Sequence, residues 1–134
     1  MIFAIIDFGR YVYYVQILNN AAREGARYAI VHGSNSFQPV GPTADDPKIR
    51  DVVRSYAIGV IGQGTDLTVH SCWKTPPTSA GFDPCNPDDP SILARNTRES
   101  RVRVTASYEF RPIIPLVPIP PITITGESTL VINN

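Results

Sequence analysis

The chain has 134 residues, of which 12 are basic and 12 are acidic, so its formal net charge at pH 7 is zero. A chain of this length forms one domain with a modest hydrophobic core. Zero net charge provides no overall field to attract nucleic acid, so we predict no nucleic-acid partner. Thirteen prolines against nine glycines indicate long irregular connections between the regular elements.

The first segment with helical periodicity extends to about His32, before Gly33 and Ser34, which are typical of a helix end. Apolar and small residues recur three and four positions apart within it, which is the pattern of one helix face. Residues expected to make helix packing and assembly contacts are Phe8, Tyr11, Val15, Leu18, Ala21, Ala22, Gly25, Ala26 and Ala29.

Small residues dominate one side of this helix, where Ala21, Gly25 and Ala29 are spaced four apart. Another backbone can approach such a side closely. Two interpretations stay open, namely that this side packs against helices of other subunits or that it lies under the chain's own sheet. The candidates for polar contacts between subunits on the same helix are Arg23, Glu24 and Arg27.

Residues 1–6, MIFAII, are uninterrupted apolar sequence, but a helix needs roughly 20 such residues to cross a bilayer. The run also lacks the features of a secretory signal. We expect the sequence to start partway through a longer apolar helix that anchors the protein in a membrane. Tyrosine favours the membrane interface, so the residues expected at that depth are Asp7, Arg10, Tyr11, Tyr13 and Tyr14. A soluble helix with an apolar first turn is the alternative.

Two motifs in this region resemble a known family. Asp7-Phe8-Gly9-Arg10 follows the apolar run, and NAAREGARYA occupies residues 20–29. Together they resemble the amino-terminal region of the TadE-like family, which are pilin-related proteins of the tight-adherence (Tad, or Flp-pilus) machinery. Members usually carry a longer apolar segment and a short basic leader upstream, which the 134 residues do not include. RVRVTASYEFRPIIP and ITITGESTLVIN near the carboxy terminus resemble the closing strands of the family.

The resemblance implies a non-enzymatic, pilin-like subunit that assembles a Tad-type pilus through its amino-terminal helix, with other pilin-like subunits or copies of itself as partners. It also implies a cell-envelope protein, either membrane-anchored with an extracytoplasmic domain or part of an extracellular filament. We divide the chain into an anchoring and assembly helix at 1–33 and an extracytoplasmic domain at 34–134. The alternatives are the main repeating subunit of a filament, and a membrane-tethered adhesive domain for an unidentified surface receptor.

Downstream of the first helix, the pattern predicts a second helix that opens at residues 45–47 and ends at Gly62 and Gly64. An acidic residue before the helix and proline in its first turn are favourable at an amino-terminal end. Alternating or β-branched segments predict strands at 67–70, 101–110, 122–125 and 128–132, of which the last two form one strand or a pair. The predicted fold is α+β, with the long first helix packed on a small antiparallel sheet in a pilin-like arrangement.

Cys72 and Cys85 are the two cysteines of the chain, and they bracket a proline-rich loop. We favour a disulfide, because such bonds persist in oxidising compartments and because the spacing does not offer the further ligands of a metal site. A free thiol pair in a cytosolic protein is the alternative. If the protein is an adhesive domain, Trp73 and Phe82 are the expected contact residues of this loop.

Residues 112–121, PIIPLVPIPP, are apolar but cannot form a central strand, because proline has no backbone donor. An apolar connection of this kind either covers the chain's own core or forms an interface, and we favour the first. The candidate interface residues are Ile113, Ile114, Leu116, Val117 and Ile119.

The sequence predicts no catalytic residues, no cofactor and no metal site. His32 and His70 have structural explanations, near a helix end and on the polar side of a strand. Nucleophile elbows, phosphate loops and zinc spacings do not occur. The aspartates at 45–46 and 83–89 do not follow the ligand order of an EF-hand, so we interpret them as turn and helix-initiating residues. No convergent polar set indicates an enzyme.

Overall fold

The computed structural model describes residues 2–33, 35–40, 45–61, 67–74, 99–113 and 120–133. In chain order its elements are helices α1 (Ile2–Val31) and α2 (Pro47–Ile61) and strands β1 (Leu67–Lys74), β2 (Arg101–Phe110) and β3 (Ile122–Val131). The strands form an antiparallel sheet in the order β1-β2-β3. Helix α1 packs on β2 and β3 and against α2. The expected α+β arrangement is therefore confirmed.

Strand β2 is the centre of the sheet, and its bounds are those that the alternation predicts. Val102, Val104 and Ala106 are fully buried, and Phe110 is nearly so. The residues between them are exposed or half-buried, because successive side chains of a strand point to opposite faces of the sheet. One face of the sheet is thus covered by the helices and the other carries polar side chains.

Asp46 is the amino-terminal cap of α2. Its Oδ1 accepts a hydrogen bond from the backbone N–H of Lys48 at 2.8 Å, as an N-cap carboxylate does. Its own N–H donates to Ser71 Oγ at 3.0 Å, which ties the start of α2 to β1. Asp45 has a left-handed backbone conformation with φ of 57°, and its carboxylate accepts from the N–H of Ser71 at 3.2 Å. Both aspartates therefore have structural roles.

Strand β3 is continuous, so of the two alternatives for residues 122–132, one strand or a pair, the structure contains one strand. Gly126, at the expected break, pairs with Ala106 on β2 and faces α1. A Cβ atom at Gly126 would lie 2.6 Å from both Leu18 O and Asn19 N, and still nearer to the carbonyl carbon of Leu18. The glycine is therefore required by the close approach of α1, and not by a turn.

The small-residue side of α1 lies inside the chain's own core. Ala21, Ala22, Ala26 and Ala29 are fully buried. A Cβ atom at Gly25 would lie 2.5 Å from Val53 Cγ2 on α2. Of the two open interpretations, packing under the chain's own sheet and second helix is the one that the structure contains.

We predict that Gly126→Ala destabilises the protein by about 3 kcal/mol, because the added methyl group meets helix backbone that cannot rotate away. Gly9→Ala is the matched control, since a Cβ atom there has nothing within 4 Å. That substitution should stabilise α1 by up to about 1 kcal/mol through helix propensity. Equilibrium unfolding of both variants in denaturant measures the difference, and equal stability of the two would contradict the close approach of α1 and β3.

Candidate assembly surface

The amino-terminal part of α1, residues 2–13, carries a continuous exposed apolar surface that we call the apolar half of α1. Ile5 is 70% exposed and Phe8 is 69% exposed, whereas Leu18, further along the same helix, is fully buried. The large exposed apolar side chains of this half are Ile2, Phe3, Ile5, Ile6, Phe8, Tyr11, Val12 and Tyr13. An exposed apolar patch of this extent is typical of an interface with another macromolecule or with a membrane.

Asp7 is the exception in the apolar half, because its side chain is only 8% exposed. One carboxylate oxygen, Oδ1, accepts from Arg10 Nη1 at 3.1 Å. The other, Oδ2, accepts from the backbone N–H of Ile113 at 3.0 Å. Burial of a carboxylate is tolerated when it is paired and hydrogen-bonded, so Asp7 adds no uncompensated charge to the apolar half.

An aromatic cluster lies under this position and joins α1 to the end of the sheet. The ring of Phe110 lies edge-on to those of Tyr11 and Tyr14, with centroids 5.9 and 5.7 Å apart. The ring of Tyr14 also contacts Tyr108, at 5.6 Å. Edge-to-face pairs of this kind are favourable beyond the area that they bury. The cluster marks the place where α1 passes from its exposed half to its buried half.

Arg10 lies over the aromatic cluster. Its guanidinium carbon is 5.4 Å from the ring centroid of Phe110 and 5.7 Å from that of Tyr14, which is the range of cation–π attraction. Its Nη2 donates to the hydroxyl oxygen of Tyr14 at 3.5 Å. The hydrogen bond to Tyr14, followed by the contacts with Asp7, raises the pKa of Arg10 above its ordinary value. An arginine guanidinium is protonated at any physiological pH, so Arg10 keeps both attractions.

The structure places the nine predicted helix-contact residues in exposed, half-buried and buried environments. Phe8 and Tyr11 belong to the exposed surface, and Val15 is half-buried. The others are buried in the chain's own core and are Leu18, Ala21, Ala22, Gly25, Ala26 and Ala29. Buried side chains cannot touch another subunit while the fold is intact. Helix contact between subunits remains a prediction, and the residues available for it are those of the apolar half.

The predicted polar contact residues lie on the solvent-facing side of α1 after Leu18, where the opposite side of the helix is buried in the core. Arg27 Nη1 is 3.2 Å from Glu24 Oε1, and Arg23 is exposed. An exposed pair of this kind adds little to stability. A contact of these side chains with a second subunit stays a prediction.

Asp7 and Tyr14 contact other parts of the chain, and their expected depth at a membrane interface stays a prediction. Asp7 is buried against Ile113, and Tyr14 packs on the sheet. The signal available in the sequence for Asp7 was a single carboxylate within an otherwise apolar run. Its partner could not be found that way, because the N–H that it accepts is 106 positions away.

The structure describes only some of the residues of two further predictions, the apolar interface at 112–121 and the cysteine-bracketed loop. Ile113 is 58% exposed, whereas Ile114, Leu116, Val117 and Ile119 lie outside the described residues. Trp73 is buried in the core at 3% exposure, so it is not available as a contact residue of an adhesive loop. Cys72 lies on β1, and Cys85 and Phe82 lie outside the described residues. The disulfide stays a prediction.

Within the described ranges, no group of three or more His, Cys, Asp and Glu side chains is placed to hold a metal ion. Across the same part of the chain, no helix has both the length and the apolarity needed to cross a bilayer.

Comparison with known proteins gave a match at the amino terminus. The model of the family described as TadE-like protein matches residues 1–27. The chain has a TadE-like amino-terminal segment. This confirms the resemblance at residues 1–27, where the chain is similar to a Tad pilus-related family. The TadE-like segment includes the apolar half of α1, Asp7 and Arg10. Neither the curated proteins nor the solved structures gave a significant match.

We predict that Cys72 and Cys85 form a disulfide that stabilises the fold by about 3 kcal/mol in the chain-entropy model. The intact mass of the alkylated chain, with and without prior reduction, shows whether the bond is present. Denaturant unfolding under both conditions measures its contribution. Alkylation of both thiols without reduction would contradict the prediction.

Proposed function

We propose that this protein is a pilin-like subunit for assembly of a Tad-type pilus, and that it assembles through the apolar half of α1. The observation that carries the proposal is the exposed row of large apolar side chains within the TadE-like segment. Its partners are helices of other pilin-like subunits or of further copies of this chain.

The chemistry of the surface supports an apolar partner. Each Å² of apolar surface removed from water contributes roughly 25 cal/mol, so side chains as exposed as Ile5 and Phe8 gain free energy from any apolar environment. The charges of Asp7 and Arg10 compensate each other at 3.1 Å, so they do not oppose such contacts. A membrane before assembly and neighbouring helices after it both meet this requirement.

The sheet has a polar face that suits contact with water in the proposed display of the domain outside the cytoplasm. Its side facing away from the helices is polar, and it carries Thr68, His70, Thr105, Ser107, Thr125, Glu127 and Thr129. A polar outer face suits contact with water while the helix makes the assembly contacts. The predicted disulfide belongs to the same proposal, because it requires an oxidising compartment.

We predict that Phe8→Arg abolishes assembly and leaves the domain folded, because the charge would have to be desolvated at an apolar contact. Phe37→Arg is the matched control, since Phe37 is fully exposed outside the helices. Pilus formation in cells that carry each variant, measured by electron microscopy of sheared surface material, gives the comparison. Thermal unfolding of the purified variants confirms that both fold.

Normal pili with Phe8→Arg would contradict the proposed surface.

Gly25→Leu, which the small-residue side suggests as an assembly mutant, is unsuitable for this purpose. A side chain at Gly25 would collide with Val53 in the chain's own core, so loss of assembly there would report misfolding.

Abundance distinguishes a minor pilin-like subunit from the main repeating subunit of a filament. Mass spectrometry of the sheared fraction quantifies this chain and identifies its first residue. Dominance of the chain in isolated filaments would make it the main subunit. Trace amounts there, with most of the chain in the membrane fraction, would support a minor subunit in assembly.

A further inference from the structure

The connection between β2 and β3 is fastened to α1 at Asp7. The backbone N–H of Ile113, three residues after the end of β2, donates to Asp7 Oδ2 at 3.0 Å. An N–H that donates to a carboxylate makes a charge-assisted hydrogen bond, which is stronger than one between neutral groups. This contact joins the apolar half of α1 to a segment that belongs to neither helix nor strand at that point.

Arg10 strengthens the same junction from the opposite side. Its guanidinium pairs with Asp7 Oδ1 at 3.1 Å and lies 5.4 Å from the ring centroid of Phe110, the last residue of β2. The carboxylate is thus held between the guanidinium on its own helix and the N–H of Ile113. Asp7, Arg10 and Phe110 connect the helix to the point where the chain leaves the sheet.

The position of this junction along α1 matters for the orientation of the helix. From Leu18 onward, small buried residues hold α1 against the sheet and α2. Before Asp7, the described side chains are exposed. The Asp7 contact therefore lies within the apolar half, ahead of the aromatic cluster, where it can resist bending of that half relative to the sheet.

We propose that Asp7 and Arg10 form a latch that fastens the β2–β3 connection to α1 and thereby fixes the direction in which the apolar half leaves the sheet. Asp7 is a positioning residue in this device. The latch also places Ile113, an exposed apolar residue, beside the apolar half of α1. The proposal concerns the folded chain itself and does not depend on what the apolar half binds.

The first test is amide hydrogen exchange in the full chain, in detergent, for Asp7→Ala. We expect exchange at the Ile113 amide to accelerate by about tenfold or more, because its charged acceptor is lost. Asp51→Ala is the matched control, since Asp51 is an exposed helix aspartate 3.8 Å from Arg50. The Val104 amide, in the middle of β2, should keep its wild-type protection in both variants.

The second test measures the direction of the apolar half. Spin labels are attached at positions 9 and 129 through a non-natural amino acid. Its labelling reaction does not involve thiols, so Cys72 and Cys85 are not labelled. Position 9 has nothing within 4 Å of a Cβ atom, and position 129 is exposed on β3. The distribution of distances between the labels should broaden with Asp7→Ala and remain unchanged with Asp51→Ala.

Asp7→Leu keeps the test decisive if the alanine variant loses its fold, because leucine fills the buried space of the carboxylate and has no acceptor. Faster exchange at Ile113 with a broader distance distribution and normal protection at Val104 supports the latch. Wild-type exchange at Ile113, or an unchanged distance distribution, in the folded variant overturns it.

Discussion

The fold depends on the direct contact between the backbones of α1 and β3. Gly126 provides it on the strand, because a Cβ atom there would lie 2.6 Å from the backbone of Asn19. On the helix side, the side chains are small enough for the sheet and α2 to pack directly against the helix backbone, as at Ala21, Ala22 and Gly25. Interiors are packed without spare volume, so these small residues are needed within the chain. Their size reflects intramolecular packing first.

This constraint divides α1 into two halves with different roles. The half from Leu18 onward is an integral part of the core, and the half before Tyr14 presents apolar side chains to the surroundings. Both belong to one helix of 30 residues, which at 1.5 Å per residue is about 45 Å long. Because the helix is continuous, a partner that binds the apolar half is connected mechanically to the sheet. The aromatic cluster and the Asp7–Arg10 pair lie where this connection leaves the core.

The sequence-based predictions succeeded where the signal is local. Alternation along β2 predicts its bounds, and the helical period with an acidic cap predicts the start of α2 near Pro47. They left open whether residues 122–132 form one strand or two, since a glycine within a strand pattern looks like a break. Local pattern alone also could not show that Asp7 accepts a hydrogen bond from the backbone of Ile113.

The sequence by itself determined the identity of the elements, the apolar character of the helix start and the TadE-like motif of residues 1–27, all of which depend on neighbouring residues along the chain. Only the tertiary structure decided which side of α1 is covered and which is exposed. A stripe of small residues is compatible with any closely approaching backbone. The element that occupies it, here β3 at Gly126 and α2 at Val53, is selected by contacts between distant parts of the chain, which local periodicity does not encode.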